Sequence, residues 1–133
     1  MNMITIGIDT PRHACMTDIT RQVQEAVTES GVEHGLVHVF CPHTTAAITI
    51  NENADPDVVN DMLRQLEQMV PWSQPFFDHD EGNSAAHVKS SLVGCSETIA
   101  IAGGKLVLGM WQGVYFCEFD GPRRRSIEIN VIG

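Results

Sequence analysis

With 133 residues, 43% of them hydrophobic and evenly spread, the chain is expected to fold as one domain spanning residues 1–133. A formal charge of −9, from 17 acidic and 8 basic residues, repels phosphate backbones and anionic lipid, so nucleic-acid and membrane partners are disfavoured while a local site for a small phosphorylated metabolite is not. No run approaches the ~20 apolar residues of a membrane span, the start Met1-Asn2-Met3 lacks the pattern of a secretory leader, and Cys15, Cys41, Cys95 and Cys117 show no paired spacing, so reduced, buried thiols in a cytoplasm are expected.

Residues 3–8 alternate, with Ile4, Ile6 and Ile8 on one face of a strand that ends near Pro11. A helix is expected from about residue 17 to residue 30, capped by Thr17, striped by Ile19, Val23, Ala26 and Val27, and stopped at Gly31. Strands follow at 36–41, broken by Pro42, and at 46–50. Asp55-Pro56 is a helix start, a capping carboxylate before a proline at the first helical position. Val59, Met62, Leu63, Leu66, Met69 and Val70 carry that helix to Pro71. Residues 71–82 read as an irregular loop, and Ser84 as the cap of a short helix through Leu92 that stops at Gly94. Strands at 97–101, 105–109, 113–119 and 125–131 close the chain, with turns at Gly103-Gly104 and Asp120-Gly121-Pro122. About seven strands and three helices make an α+β pattern, and the crowding of the last four strands predicts an antiparallel meander.

Three clusters can carry chemistry. His43-Thr44-Thr45 precedes the strand 46–50, and Asn51-Glu52-Asn53-Ala54-Asp55 follows it. The five strand residues span about 16 Å, so the two halves line one groove or meet across subunits rather than share one small site. As plain structure, they are a polar turn and helix caps. Asp78-His79-Asp80-Glu81-Gly82-Asn83, with His87 in the next helix, offers two histidines and three carboxylates. With His43 as a third nitrogen, His79 and His87 suit a divalent metal, although the spacing matches no stereotyped zinc motif. Its bland alternative is an acidic solvated loop. Arg123-Arg124-Arg125 stands out in an acidic chain. In an alternating strand Arg123 and Arg125 share a face suited to phosphate oxygens, and the competing reading is an ion-pair network with Glu118, Asp120 or Glu128. No nucleophile elbow, phosphate-binding glycine loop or dinucleotide fingerprint occurs.

The blocks His43-Thr-Thr-Ala-Ala-Ile-Thr-Ile-Asn-Glu-Asn-Ala-Asp55-Pro56, His79-Asp80 through Gly82 and His87-Val-Lys-Ser-Ser-Leu-Val-Gly94 come in that order. They are followed by Gly104-Lys-Leu-Val-Leu-Gly109, Trp111-Gln-Gly113 and Glu118-Phe-Asp-Gly-Pro-Arg-x-Arg125. Together they resemble the YjbQ-like family, also called secondary thiamine-phosphate synthases, over nearly the whole chain. Met110 departs from the threonine or valine usual in that family. The resemblance implies a two-sheet α+β fold, a homotrimer, and coupling of hydroxymethylpyrimidine diphosphate to a thiazole phosphate with loss of diphosphate. On that reading His43, His79 and His87 hold a divalent metal, zinc, magnesium or manganese. Thr44, Thr45, Ser90, Arg123 and Arg125 bind phosphate oxygens. Asn51, Glu52 and Gln112 orient the rings or move a proton, with Glu52 as general base. The competitors are a metal-dependent hydrolase of small phosphorylated metabolites and a non-catalytic metabolite-binding protein.

Overall fold

Strand alternation builds two antiparallel sheets in the computed structural model, which describes residues 2–133. In chain order the elements are β1 (Asn2–Asp9), β2 (Cys15–Asp18), α1 (Thr20–Ser30), β3 (His34–Phe40), β4 (Ala46–Glu52) and α2 (Pro56–Met69). Then come α3 (Ser84–Val93), β5 (Ser96–Ala102), β6 (Lys105–Leu106), β7 (Gln112–Glu118) and β8 (Arg124–Ile132). The larger sheet runs β1-β8-β3-β5-β6 and the smaller β2-β7-β4.

The registers explain the layers. Ile127, Ile129 and Val131 of β8 share a face with Val37 and Val39 of β3, and Ile99 and Ile101 of β5 continue it. All are buried against Ile48, Val114 and Phe116 of the small sheet and Val23 and Val27 of α1. Each such side chain contributes ~1.5–3 kcal/mol of apolar burial. The alternate residues of the small sheet, Ala47, Tyr115 and Cys117, face the other way and meet Ala86 of α3 and the half-buried Val59, Leu63 and Leu66 of α2. The small sheet is thus the middle layer, and the outer face of the large sheet leaves Leu36 and Ile132 exposed.

The α2 start is as expected: Asp55 caps it, its Oδ1 accepting from the Asp57 N–H at 2.9 Å, with Pro56 behind. The loop after Val70 is irregular, as expected. Four expectations are corrected. The first helix begins at Thr20, not 17, because Thr17 pairs with Phe116 in the short strand β2, and Asp18 Oδ1 accepts from the Thr20 N–H instead. Four mixed residues carry too little alternation to announce such a strand. The third helix has Asn83 in the capping position rather than Ser84, without a side-chain capping bond. The expected strand 105–109 holds the ladder only at Lys105–Leu106. Finally, the last four strands form no meander. β7 crosses into the small sheet, where Val114 through Glu118 are buried on both faces, and β8 inserts between β1 and β3.

Candidate active site

β4 and β7 pair over their whole lengths, so the two groups of site residues lie at opposite ends of one ladder. Ala46 is opposite Glu118 at one end, and Glu52 is opposite Gln112 at the other. Seven residues separate the ends by roughly 20 Å. The separation inferred from the sequence therefore holds within one subunit.

At the Ala46 end, the loop after β3, the loop before α3 and the start of β8 enclose a cavity of about 470 Å³. His43, Thr44, Thr45, His79, His87, Arg123 and Arg125 all line it, with Pro42, Glu81 and Asn83. A second cavity of about 420 Å³ shares His43, Thr44 and His87 and adds Ser90 and Cys95. Both volumes suit a small metabolite. A larger cavity of about 690 Å³ lies between α1 and Leu106–Leu108, but its Asp18 is already bonded to Thr20 and Asn53. Chemistry, not volume, distinguishes the first pair.

Beneath the cavity the two sheets are joined by a buried ion pair. Glu118 is fully buried, and Arg125 nearly so. Arg125 Nε donates to Glu118 Oε1 at 2.8 Å and Nη2 to Oε2 at 2.5 Å; Nη2 also donates to Thr45 Oγ1 at 2.8 Å. Thr10 Oγ1 and the Asp120 N–H complete the carboxylate's shell at 2.7 and 3.0 Å. Burial pushes Glu118 up, but these hydrogen bonds outweigh it and hold the carboxyl below its ordinary value. The Glu118 bond in turn raises Arg125 against the effect of burial. Arg125 is thus first a structural cation, fulfilling the ion-pair reading of the arginine run. Arg123 is the more available one: half-exposed, it bonds Asp120 Oδ2 at 2.8 Å and the Asp120 carbonyl at 2.7 Å. Arg124 points away toward Asp9, 3.7 Å off.

His43 sits over β8, its Nε2 accepting from the Ser126 N–H at 3.0 Å. Burial, then the Arg125 charge, lower its pKa below the usual histidine value, so its neutral form is favoured. His79 and His87 stand edge to face with ring centroids 5.7 Å apart, and Glu81 Oε1 is 4.0 Å from His79 Nε2. The described residues contain no group of three or more His, Cys, Asp or Glu placed to hold a metal ion. His43, His79 and His87 nonetheless line the same cavity, with the His79 and His87 rings adjacent. Ser90 Oγ donates to the Ala86 carbonyl at 2.8 Å within α3.

Asn51, Glu52 and Gln112 gather at the far end, where each also serves the local backbone. Asn51 Oδ1 accepts from the Glu52 N–H, Glu52 Oε2 from the Asp55 N–H, and Gln112 Oε1 from the Gly109 N–H. Met110 and Trp111 lie exposed beside them. Sequence reasoning placed Asn83 in the acidic-loop cluster but gave it no role. It is buried in the pocket wall, donating to Asp120 Oδ2 at 2.8 Å, and its Oδ1 is the one buried side-chain oxygen among the described residues without a partner. Its signal was there: an asparagine directly before a helix.

A protein-family profile described as "UPF0047 protein YjbQ-like" matches residues 4–133. The chain is 52% identical over 129 residues to the UPF0047 protein YugU of Bacillus subtilis, covering 97% of this chain and 98% of that one. A crystal structure of a YjbQ/UPF0047 family protein from Clostridium acetobutylicum superimposes with a TM-score of 0.95 at 53% identity, covering 97% and 99% of the two chains. A YbjQ-like protein of unknown function from Sulfolobus solfataricus gives a TM-score of 0.94 at 32% identity, covering 99% and 96%. No helix among the described residues is long and apolar enough to cross a membrane. The chain belongs to the UPF0047 family of YjbQ-like proteins.

Proposed function

We propose that the cavity above the Glu118–Arg125 pair binds the phosphate or diphosphate group of a small metabolite, and that the chain catalyses a thiamine-phosphate synthase-like displacement of diphosphate. One observation carries this: in a chain of net charge −9, two arginines, three histidines and two threonines line a single cavity. Displacement of diphosphate demands charge compensation at the leaving oxygens. Arg123 supplies it directly, Thr44 offers a hydroxyl, and the buried pair holds the floor rigid. A divalent metal belongs to this proposal as a companion of the ligand: His79 and His87 fit as a pair, and ligand oxygens would fill its remaining positions.

The proton-moving set is assigned to the neighbouring copy in a homotrimer. One end of the subunit carries the histidines and arginines, and the other carries Glu52 with Asp18, Asp55 and Asp57 nearby. Glu52 lies at the opposite end of the β4–β7 ladder from the cavity, so a head-to-tail contact that brings the far end of one copy to the cavity of the next, and closes into a ring, would complete the site.

The test is calorimetric binding of inorganic diphosphate, with and without magnesium, zinc or manganese, followed by diphosphate release from the two thiamine precursors. Arg123→Ala should weaken binding by about tenfold or more, the scale of one charge-assisted bond. Undiminished binding would overturn the phosphate assignment. In mixed trimers, Arg123→Ala and Glu52→Ala subunits should partly restore each other's turnover. Failure to do so, with both variants trimeric, would remove the shared site. Inorganic phosphate released without a coupled product would mark a hydrolase, and binding without turnover a carrier.

A further inference from the structure

Cys41 and Cys95 have no part in the reading above, and together they make a chemical unit. Sequence reasoning expected all four cysteines to be buried; three are, but Cys95 is exposed and lines the smaller cavity. Phe40 and Ser96 form the last regular rung between β3 and β5, and Cys41 and Cys95 are the next pair outward in the same register. The Cys41 N–H donates to the Cys95 carbonyl at 2.8 Å, so the pairing continues through them. Directly opposed residues project from the same face of a ladder. The Cα atoms of a hydrogen-bonded antiparallel pair lie about 5.5 Å apart, inside the window of about 4.4–6.8 Å that a disulfide needs.

We propose that Cys41 and Cys95 form a reversible disulfide when a hydroperoxide reaches the exposed thiol, and that this bond is a covalent control on the pocket. Cys95 is oxidised first because it is open to solvent, while Cys41 is buried. In the first step the Cys95 sulfur bonds the terminal peroxide oxygen, the O–O bond breaks, and Cys95 becomes a sulfenic acid as water leaves. In the second the Cys41 sulfur bonds the Cys95 sulfur, and hydroxide leaves with the Cys41 proton as water. Two thiols and one hydrogen peroxide thus become one disulfide and two waters, and any dithiol reverses it. Such transient bonds suit a reducing compartment.

The link to the pocket is short. Cys41 stands two residues before His43, and its Sγ–H points at the His43 carbonyl oxygen, 3.9 Å away. Bonding to Cys95 withdraws that contact and ties the Pro42–Thr45 loop to the start of β5. This second arm rests on the phosphate-pocket reading; the disulfide itself does not.

The experiment treats the full chain with a small excess of hydrogen peroxide, alkylates free thiols and maps the peptides without reduction. The expected result is one intramolecular cross-link between the Cys41 and Cys95 peptides, lighter by two hydrogens, absent in Cys95→Ser and reversed by dithiothreitol. Cys95 ending as sulfinic acid, or linked to Cys95 of another chain, with Cys41 still alkylatable, would overturn the proposal. Inorganic diphosphate affinity is then compared between oxidised and reduced protein. A change of about fivefold or more is expected, the lower end of ordinary coupling between sites, and Cys95→Ser should show none. An unchanged affinity in the cross-linked protein overturns the control role alone. No diphosphate binding in either state overturns the pocket reading and leaves the disulfide standing.

Discussion

Replacing Arg125 by methionine separates structure from function at this site. The side chain is about as long, so the packed stem is retained while the guanidinium is lost. Glu118 then keeps the Thr10 hydroxyl and the Asp120 N–H but loses both charged bonds, at a position with no solvent exposure. Removing one partner of a buried pair costs about 3–5 kcal/mol, mostly because the remaining charge has lost its compensation. Urea unfolding at one fixed protein concentration is the assay. The sign of the pH dependence should also reverse. In the native chain Glu118 has a depressed pKa, so its contribution is present above the ordinary carboxylate value and is lost as pH falls through the depressed one. In Arg125→Met, burial dominates and raises the pKa, so mild acid should narrow the deficit. Adding Glu118→Leu should recover most of the loss, because an apolar pair can replace a buried ion pair. A single-variant loss below about 1 kcal/mol, or a double variant worse than the single, would refute the view that this pair is the floor of the site.

Three further outcomes are expected. His43 has a folded pKa below its unfolded value, so its stability contribution is complete above about pH 6.5 and is lost as pH falls through the lowered value. Melting temperatures between roughly pH 5 and 7 should therefore slope less in His43→Asn than in the native chain. Asp55→Ala removes the acceptor for the Asp57 N–H and should cost about 1 kcal/mol in denaturant unfolding. At Gly121 a Cβ would lie 2.2 Å from the Arg12 carbonyl oxygen and 2.8 Å from Glu118 Cγ, so Gly121→Ala should destabilise by ~1–3 kcal/mol, read from thermal melts, whereas an unchanged melt would show that this turn yields readily.

Much was legible from local chemistry. Asp55-Pro56 announced α2 because a capping carboxylate and a ring-locked φ act within one turn of chain. Alternation at Ile4, Ile6 and Ile8 announced β1, and the runs 36–41, 46–50 and 125–131 announced three more strands, because a sheet with one buried face imposes a period of two. The histidine and arginine blocks pointed to residues that do line one cavity, because such polar and charged types stand out in an acidic chain.

What stayed hidden depends on partners far along the chain. β2 is four residues long and exists only because Thr17 meets Phe116. Nothing local distinguishes a meander from β7 crossing to a second sheet; what decides is burial of both its faces, one by the large sheet and α1 and the other by α2 and α3. Arg123 and Arg125 looked equivalent, yet the fold puts Glu118 within reach of one and Asp120 within reach of the other, so one is buried and the other is half-exposed. Cys41 and Cys95 are separated by two helices and a strand in sequence and become neighbours only when β3 and β5 pair. The sequence by itself determined which residue types and short-range elements this protein has, because propensity, capping and alternation act over a few residues. Only the tertiary structure decided which charges are spent on the core and which face the cavity, because that depends on burial and on contacts between distant segments.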